Sequence, residues 1–319
     1  MKKDNDFPIK DSDFTNLVKK AKRNSIIRIV LVSFSISVLV ILLTYFLGNY
    51  MMNETISMQT NDDASWHSIE GANIKQQGTS FNHSLFSATS KSEFVKNLDG
   101  IPVPWIPEEK VYPLFGKSTQ VTSEGPSQLQ QVNDKRTPSY FNGERAIEFI
   151  PPGVKGPLFD DRDILDHIDD NKIVEMAFSF DRGYKIEDVQ KTFNKNLSWY
   201  WVDTFDQSDI KTYNELNKSK ETRLTVSGEE AIGFSSSKQV NSEAKIFINT
   251  LNSLKNTGTH KHAANNIIKK ITRNQSENLS PENLKIIGVV VTGTPSEIKK
   301  YNSLSLIRTA SLGVTVDKY

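Results

Sequence analysis

The longest hydrophobic pattern in the chain is an uninterrupted apolar segment from Ile29 to Leu47. It contains no charged residue and no proline, and about 19 helical residues are enough to cross the hydrocarbon layer of a bilayer. A helix satisfies every backbone N–H and C=O within the segment, as lipid requires. Serine and threonine hydroxyls inside it can bond to a carbonyl of the preceding turn. The pattern predicts a membrane-spanning helix over residues 29–47 rather than a buried core helix.

Basic residues precede the apolar segment, whereas no Lys or Arg follows it until Lys75. Basic flanks stay in the cytoplasm, so residues 1–28 are predicted to be a cytoplasmic tail and the chain beyond the span to be extracellular. A cleaved signal peptide is the alternative, but its apolar region is usually shorter and closer to the N-terminus. The basic flank consists of Lys19, Lys20, Lys22, Arg23 and Arg28.

The tail itself carries an amphipathic pattern. Phe14, Leu17 and Val18 recur at the spacing of one helix face, and Lys19 and Lys20 lie beside them. One interpretation is a basic helix that lies on the anionic inner leaflet of the membrane. The other is a docking helix for a cytoplasmic partner, in which these five residues form the partner-binding surface.

The segment after the span is polar and is predicted to be irregular. Residues 48–80 are rich in Asn, Gln, Ser, Thr and Asp, which predicts an extended stalk. Residues 81–137 are predicted to form an irregular N-terminal part of the extracellular region. Within it, Ser92–Leu98 fits one or two helical turns, and the three prolines between Gly100 and Pro107 predict an irregular or polyproline-like segment.

Residues 138–319 show the alternating pattern of a folded domain. A strand–helix–strand pattern occurs twice, which predicts an α+β fold: a mixed sheet with helices packed on it. In the aromatic strand, Trp199 and Trp201 share one face and Tyr200 and Val202 the other, so both faces of the sheet are expected to be covered. The predicted elements are strands at Ile173–Phe180, Leu197–Phe205, Ile286–Thr292 and Ile307–Val316, helices at Ile186–Asn194, Ser242–Leu254 and His262–Ile271, and a capping box at Thr294–Glu297.

Composition narrows the classes of protein further. Lys and Arg total 39, and Asp and Glu total 38. The resulting net charge of +1 does not indicate a nucleic-acid binder. The chain contains 0 Cys, so it is not a disulfide scaffold and its extracellular domain must be stabilised by burial. This composition favours the outside of a bacterial cell over a eukaryotic secretory route.

The sequence offers little that resembles a catalytic site. The sequence has no thiol nucleophile, no Gly-x-Ser-x-Gly elbow, no phosphate-binding loop and no His-Glu-x-x-His helix. Glu229 and Glu230 could in principle cleave glycosidic bonds as a carboxylate pair, but isolated surface charges are the more common case. The sequence therefore predicts a protein that is not an enzyme, with no catalytic and no cofactor-binding residues.

Two groups of residues resemble metal ligands only superficially. The acidic run Asp160–Asp170 lacks the spacing of a calcium loop and fits a solvated helix face. His260 and His262 are two residues apart, but no further ligands can be named, so they are interpreted as loop histidines without a specific role. No metal and no other cofactor is predicted.

Several segments resemble the sigma-factor-regulator family of low-GC Gram-positive bacteria. The N-terminal run KKAKRNSIIRIVL is similar to the N-terminal domain of that family. The runs NGERAIEFIPPG, IVEMAFSFDRGYKIEDVQKTF, LSWYWVDTF, IIGVVVTGTPSEIKKY and TASLGVTVDKY resemble its C-terminal domain.

The resemblance implies a single-pass anti-sigma factor in the cell membrane. Its external domain would sense the state of the envelope through an unidentified ligand, and its tail would hold an extracytoplasmic-function sigma factor, directly or through an accessory membrane protein. The alternative is a non-catalytic envelope protein that binds cell-wall polymer or scaffolds a surface complex. Both interpretations include membrane lipid as a partner, and neither includes nucleic acid.

Overall fold

The computed structural model describes residues 11–121, 127–128, 138–156, 158–218, 225–237, 239–273 and 279–318. The described part of the chain begins with one continuous helix, α1 (Asp11–His67), of 57 residues, about 85 Å long at 1.5 Å per residue. Among the described residues α1 alone is long and apolar enough to cross a membrane, and its most apolar stretch is not buried against the protein. Ser37 and Thr44 bond to the carbonyls of Ser33 and Val40, four residues earlier, as expected. The helix fits a single-pass membrane protein.

The prediction of an extended stalk over residues 48–80 is wrong. Helix α1 continues without a break to His67, and a β-strand begins at Ile74. The physical reason is a sparse apolar stripe at helical spacing: Met52, Ile56 and Trp66 are all buried against the folded domain, by which we mean residues 69–318. The other faces of this part of the helix are mostly polar, which gives it the composition of a linker.

An antiparallel sheet covers residues 74–120, which overlap the range 81–137 that was predicted to be irregular. Residues 122–126 and 129–137 of that range lie outside the described residues. The strands of the sheet are, in spatial order, β1 (Ile74–His83), β2 (Ser87–Leu98), β3 (Ile101–Pro113) and β4 (Thr119–Gln120). The helical turns predicted at 92–98 are wrong, because Phe94, Lys96 and Leu98 are buried with a period of two, typical of a strand. We call these four strands the N-terminal sheet.

Prolines occur in the first part of β3 because that part is paired on one side only and so lies at the edge of the sheet. Pro102 and Pro104 pair with β2 on one side, whereas β4 pairs only with the far end of β3, at Lys110 and Val111. Residues two apart direct their backbone N–H to the same side of a strand, so two prolines at this spacing remove donors from one side only. The polyproline-like prediction for this segment is therefore also wrong.

A small second sheet leads into the rest of the domain. It consists of β5 (Ser127–Gln128), β6 (Ser139–Phe141) and β7 (Glu144–Arg145). Asn142 and Gly143, with φ of 51° and 85°, form the turn between β6 and β7. The next strand, β8 (Glu148–Phe149), covers one face of the main sheet described below.

The main sheet has five strands in the order β12–β10–β13–β9–β14, and each neighbouring pair is antiparallel rather than mixed in direction. The two predicted strand–helix–strand units interleave, because β13 lies between β9 and β10 and β9 lies between β13 and β14. The α+β class is confirmed. The elements are β9 (Lys172–Tyr184), α2 (Ile186–Phe193), β10 (Leu197–Val202), α3 (Gln207–Leu216), β11 (Val226–Ser227), β12 (Gly233–Ser235), α4 (Val240–Leu254), α5 (Lys261–Ile271), β13 (Ile286–Gly293), α6 (Pro295–Lys299) and β14 (Ile307–Asp317).

Both faces of the main sheet are covered, as the aromatic strand predicted. Tyr200 and Val202 belong to the main core with α2, α4, α5 and α6, and this core also takes in Trp66 from α1. Trp199 and Trp201 lie in a second core on the opposite face, with β8 and β11. The capping box predicted from Thr294 to Glu297 starts α6.

A buried ion pair joins the N-terminal sheet to the main sheet. Lys96 on β2 and Glu175 on β9 are both 0 % exposed, and the Lys96 Nζ lies 2.8 Å from Glu175 Oε2. Asn73 donates to the other carboxylate oxygen at 3.0 Å, and Lys96 Nζ lies 4.2 Å from the ring centroid of Trp105. Because each charge depends on the other for compensation, the pair requires the two sheets to be in contact.

We expect Lys96→Met to lower the free energy of unfolding by about 3–5 kcal/mol, because it leaves the Glu175 charge buried without a cation. Adding Glu175→Gln should recover most of this loss, since a neutral amide oxygen still accepts from Asn73 without needing a counter-charge. Unfolding of the full chain in detergent measures both effects.

The matched control is Lys172→Met. This lysine pairs with Asp317 at 2.5 Å, but the two side chains are 35 % and 64 % exposed, so the expected loss is under about 1 kcal/mol. Equal losses for the two lysine variants would contradict the role assigned to the buried pair.

Candidate functional site

The last turns of α1 carry a group of charged and aromatic side chains that contact two separate parts of the folded domain. We call this group, with its partners, the helix-end cluster. It contains Asp62, Asp63, Trp66 and His67 of α1, Glu70 just after it, Glu108 and Lys110 of β3, and His260 before α5. No sequence motif predicted it.

The turn before α5 holds one side of the helix end. The Asp62 carboxylate accepts the backbone N–H groups of Thr259, at 2.6 Å, and His260, at 3.2 Å. The His260 ring stacks on Trp66 with centroids 4.6 Å apart and planes 6° from parallel. Gly258 adopts φ +94°, and a Cβ there would collide with the Asp62 carboxylate. Only glycine therefore lets this turn approach the helix so closely.

Strand β3 of the N-terminal sheet holds the other side. Lys110 Nζ lies 2.6 Å from Asp63 Oδ2, while His260 Nε2 lies 3.1 Å from the other oxygen of the same carboxylate. His67 Nε2 lies 3.4 Å from Glu108. Burial alone would raise the pKa of the Glu108 carboxyl, but the hydrogen bond and charge of His67 bring it below its ordinary value. Asp63 is thus shared between the helix, the N-terminal sheet and the turn before α5.

Glu70 follows the helix end and is half-buried beside Trp66. Its carboxylate accepts the Trp66 indole N–H at 2.5 Å. Burial raises the pKa of Glu70 from 4.5 to about 7, although the nearby His67 and His260 oppose the shift and Glu108 adds to it. After Glu70 the backbone is hydrogen-bonded to the folded domain, since Gly71 N–H donates to Ala231 O at 3.0 Å.

The geometry of the helix-end cluster is suited to mechanical coupling rather than to catalysis. Its acidic side chains already bind basic groups, backbone N–H groups or an indole N–H, so none is positioned as a free acid–base pair. The described residues contain no group of three or more His, Asp or Glu that could hold a metal ion. What the cluster can do is fix the end of α1 to the N-terminal sheet and to the turn before α5 at once.

The structure corrects the prediction for His260 and refines the one for the acidic run Asp160–Asp170. His260 is not a histidine without a role, because it stacks on Trp66 and contacts Asp63. His262 lies in α5. The acidic run is used for local structure: Asp161 pairs with Arg145 at 2.7 Å, and Asp170 accepts from Ser296 at the start of α6.

The predicted partner-binding residues lie far from the helix-end cluster. Phe14, Leu17 and Val18 are 61 %, 63 % and 51 % exposed, and Lys19 and Lys20 are exposed beside them. From Leu17 to Asp63 the helix spans about 70 Å at 1.5 Å per residue. The structure therefore does not bring the two regions together, but it joins them through one helix. Their binding role stays a prediction.

We expect Gly258→Ala to destabilise the folded domain more than Gly100→Ala does. Gly100 has a nearly identical φ of +92° but open space around its Cβ position. Both substitutions cost about 1–2 kcal/mol of left-handed backbone strain. Gly258→Ala should cost about 1–3 kcal/mol more, because it displaces Asp62. Thermal unfolding of the full chain in detergent measures the difference, and equal losses would show that the Asp62 contact adds nothing.

Glu70→Gln is expected to change how stability depends on pH. A raised pKa means that the folded state binds the proton more tightly, so Glu70 contributes stability at low pH that is lost as pH rises from 4.5 to about 7. The amide should match the native chain near pH 4 and exceed it near pH 8, by up to about 3 kcal/mol. Unfolding followed by tryptophan fluorescence tests this, with Glu93→Gln, an exposed carboxylate on β2, as the control.

Comparison with known proteins assigns the chain to a family. The model for the N-terminal region of sigma factor regulators matches residues 15–103, and the model for their C-terminal region matches residues 165–314. No curated protein and no solved structure matches the chain. The first match covers α1 and most of the N-terminal sheet up to the start of β3, and the second covers the main sheet with its helices. The chain belongs to the sigma factor regulator family and acts in the regulation of a sigma factor.

Proposed function

We propose that the protein is a membrane-anchored anti-sigma factor for an extracytoplasmic-function sigma factor of a Gram-positive bacterium. Residues 29–47 cross the cell membrane, residues 1–28 lie in the cytoplasm and the folded domain lies outside. Family membership supports the sigma-factor partner. The basic flank of the span, with no Lys or Arg after it until Lys75, supports the orientation. The protein has no catalytic step in this proposal.

The observation that carries the proposal is the continuity of α1. The same helix bears the exposed stripe of Phe14, Leu17 and Val18 at one end and the buried Trp66 at the other. A helix that is hydrogen-bonded throughout moves as a unit, so a shift or an association at the outer end reaches the inner end.

The inner end provides a small surface for a protein partner. Three apolar side chains on one face, flanked by Lys19 and Lys20, suit an apolar groove with an acidic rim. The tail holds the sigma factor either directly or together with an accessory membrane protein that enlarges the surface.

The outer end supplies the regulatory input. An envelope ligand changes the output only if it binds two states of the folded domain with different affinity. The helix-end cluster is where such states would differ, because there Asp63 and Asp62 join α1 to the N-terminal sheet and to the turn before α5.

We expect the triple variant Phe14→Asp, Leu17→Asp and Val18→Asp to abolish capture of a sigma factor. Tagged full-length protein is extracted from membranes in detergent, and bound proteins are identified by mass spectrometry. The apolar stripe is lost while the span and the folded domain are unchanged, and added acidic residues have little effect on topology.

The control is the double variant Thr15→Asp and Asn16→Asp, which adds acidic charge off the stripe and should retain the partner. A sigma factor that remains bound to the triple variant would contradict capture through this surface. Absence of any sigma factor from the native sample, with wall-synthesis proteins in its place, would favour an envelope scaffold instead.

A further inference from the structure

Three large apolar side chains are exposed at one end of the N-terminal sheet. Leu85 and Phe86, in the turn between β1 and β2, are 69 % and 67 % exposed, and Phe115, just after β3, is 54 % exposed. We call these three residues the sheet tip. Grouped exposed apolar residues of this size mark interaction surfaces rather than ordinary solvent-facing positions.

Backbone hydrogen bonds hold the sheet tip in one arrangement. Ser84 N–H donates to Ser87 O at 2.7 Å, which closes the turn that presents Leu85 and Phe86. Leu114 N–H donates to Phe86 O, also at 2.7 Å, and so ties the turn to the segment that carries Phe115. The exposed side chains therefore belong to an ordered surface.

The sheet tip lies against α1 at the end of the apolar segment. The Phe86 ring packs edge-on against Tyr45, with centroids 6.4 Å apart and planes at 86°. A Cβ on Gly48 would lie 2.7 Å from Leu114 and 2.8 Å from Phe115, so the glycine lets the helix and the loop touch. These contacts place the tip beside residues 45–48, where the predicted span ends.

The charge pattern around the tip is that of a membrane interface. Neither Phe81–Ser87 nor Leu114–Ser118 contains an acidic residue, and α1 has none between the span and Glu54. Lys117 is exposed next to Phe115. Apolar and aromatic side chains with a basic residue and no carboxylate suit the headgroup region of an anionic bilayer.

We propose that the sheet tip inserts into the outer leaflet beside the transmembrane helix and forms a second, non-covalent membrane attachment. The proposal rests on the proposed topology, in which residues 29–47 span the bilayer. The partner is the lipid surface, because the tip is continuous with the lipid-facing part of α1. The two attachments together determine the tilt of the folded domain against the membrane.

The absence of cysteine from the chain allows a direct test. Single variants Leu85→Cys and Phe115→Cys are labelled with an environment-sensitive fluorophore in the full-length protein, reconstituted in vesicles of phosphatidylglycerol and phosphatidylethanolamine. The matched control is Ile246→Cys on α4, which is 53 % exposed and lies on the part of the domain that packs against the far end of α1. Leu39→Cys, inside the span, reports on the anchor itself.

We expect labels at 85 and 115 to be blue-shifted and quenched at least twofold by a quencher attached near the lipid headgroups, with Ile246→Cys unaffected. Phe86→Asp should reverse the shift at 115. Labels at 85 and 115 that are quenched only by aqueous iodide, while the label at 39 is lipid-protected, would overturn the tip insertion and leave the anchor intact.

Two further outcomes would also overturn the proposal. Shielding of the tip labels from both quenchers would assign the surface to a protein contact, such as a second copy of the chain. Exposure of the label at 39 to iodide would overturn the topology, and the tip insertion with it.

Discussion

The unbroken helix α1 is the constraint on which the rest of this structure depends. A membrane segment linked to its domain by a flexible stalk would transmit little, whereas this segment enters the domain as the same helix. Trp66 at its end belongs to the main core, so the helix cannot rotate or slide without disturbing that core. The single glycine in the helix, Gly48, does not mark a hinge, because Leu114 and Phe115 occupy the space beside it.

A buried ion pair joins the two regions of the folded domain that the family models match, so neither region can move away from the other without breaking it. Lys96 lies in the region matched by the N-terminal family model and Glu175 in the region matched by the C-terminal one. A fully buried ion pair contributes little net stability compared with apolar residues of the same size, but losing one partner is costly. Its effect is to specify one docking of the N-terminal sheet on β9. The apolar cluster of Phe94, Leu98 and Val314 surrounds the same junction.

Sequence patterns predicted the elements that local physics determines. The spans of β9, β10, β13, β14, α2, α4 and α5 follow from dense apolar periodicity, and the start of α6 follows from the Thr294–Glu297 capping box. The N-terminal sheet was missed because it is polar: β2 buries a lysine and serine on its inner side, and β3 carries prolines that only an edge strand tolerates. The strand order depends on contacts between residues distant in the sequence, and no local pattern encodes it.

The helix-end cluster was missed for a related reason. Asp62, Asp63 and Glu70 have the composition of a solvated linker, and the partners of the two aspartates, Lys110, Thr259 and His260, lie 47 to 198 residues away in the sequence. The one local signal of a buried helix end was Trp66. It is a large aromatic residue in a segment with few aromatic residues, and it lies at helical spacing from Met52 and Ile56.

These features together restrict the form that a signal can take in the proposed topology. A rigid helix held at Asp62 and Asp63, and touched again at Tyr45 and Gly48 by the sheet tip, has two fixed points on the same side of the membrane. Bending between these points is opposed by the packing of Met52 and Ile56. A ligand that alters the domain therefore changes the tilt, depth or association of the whole helix rather than its internal shape. That motion is what the exposed stripe at Phe14, Leu17 and Val18 would present to a sigma factor.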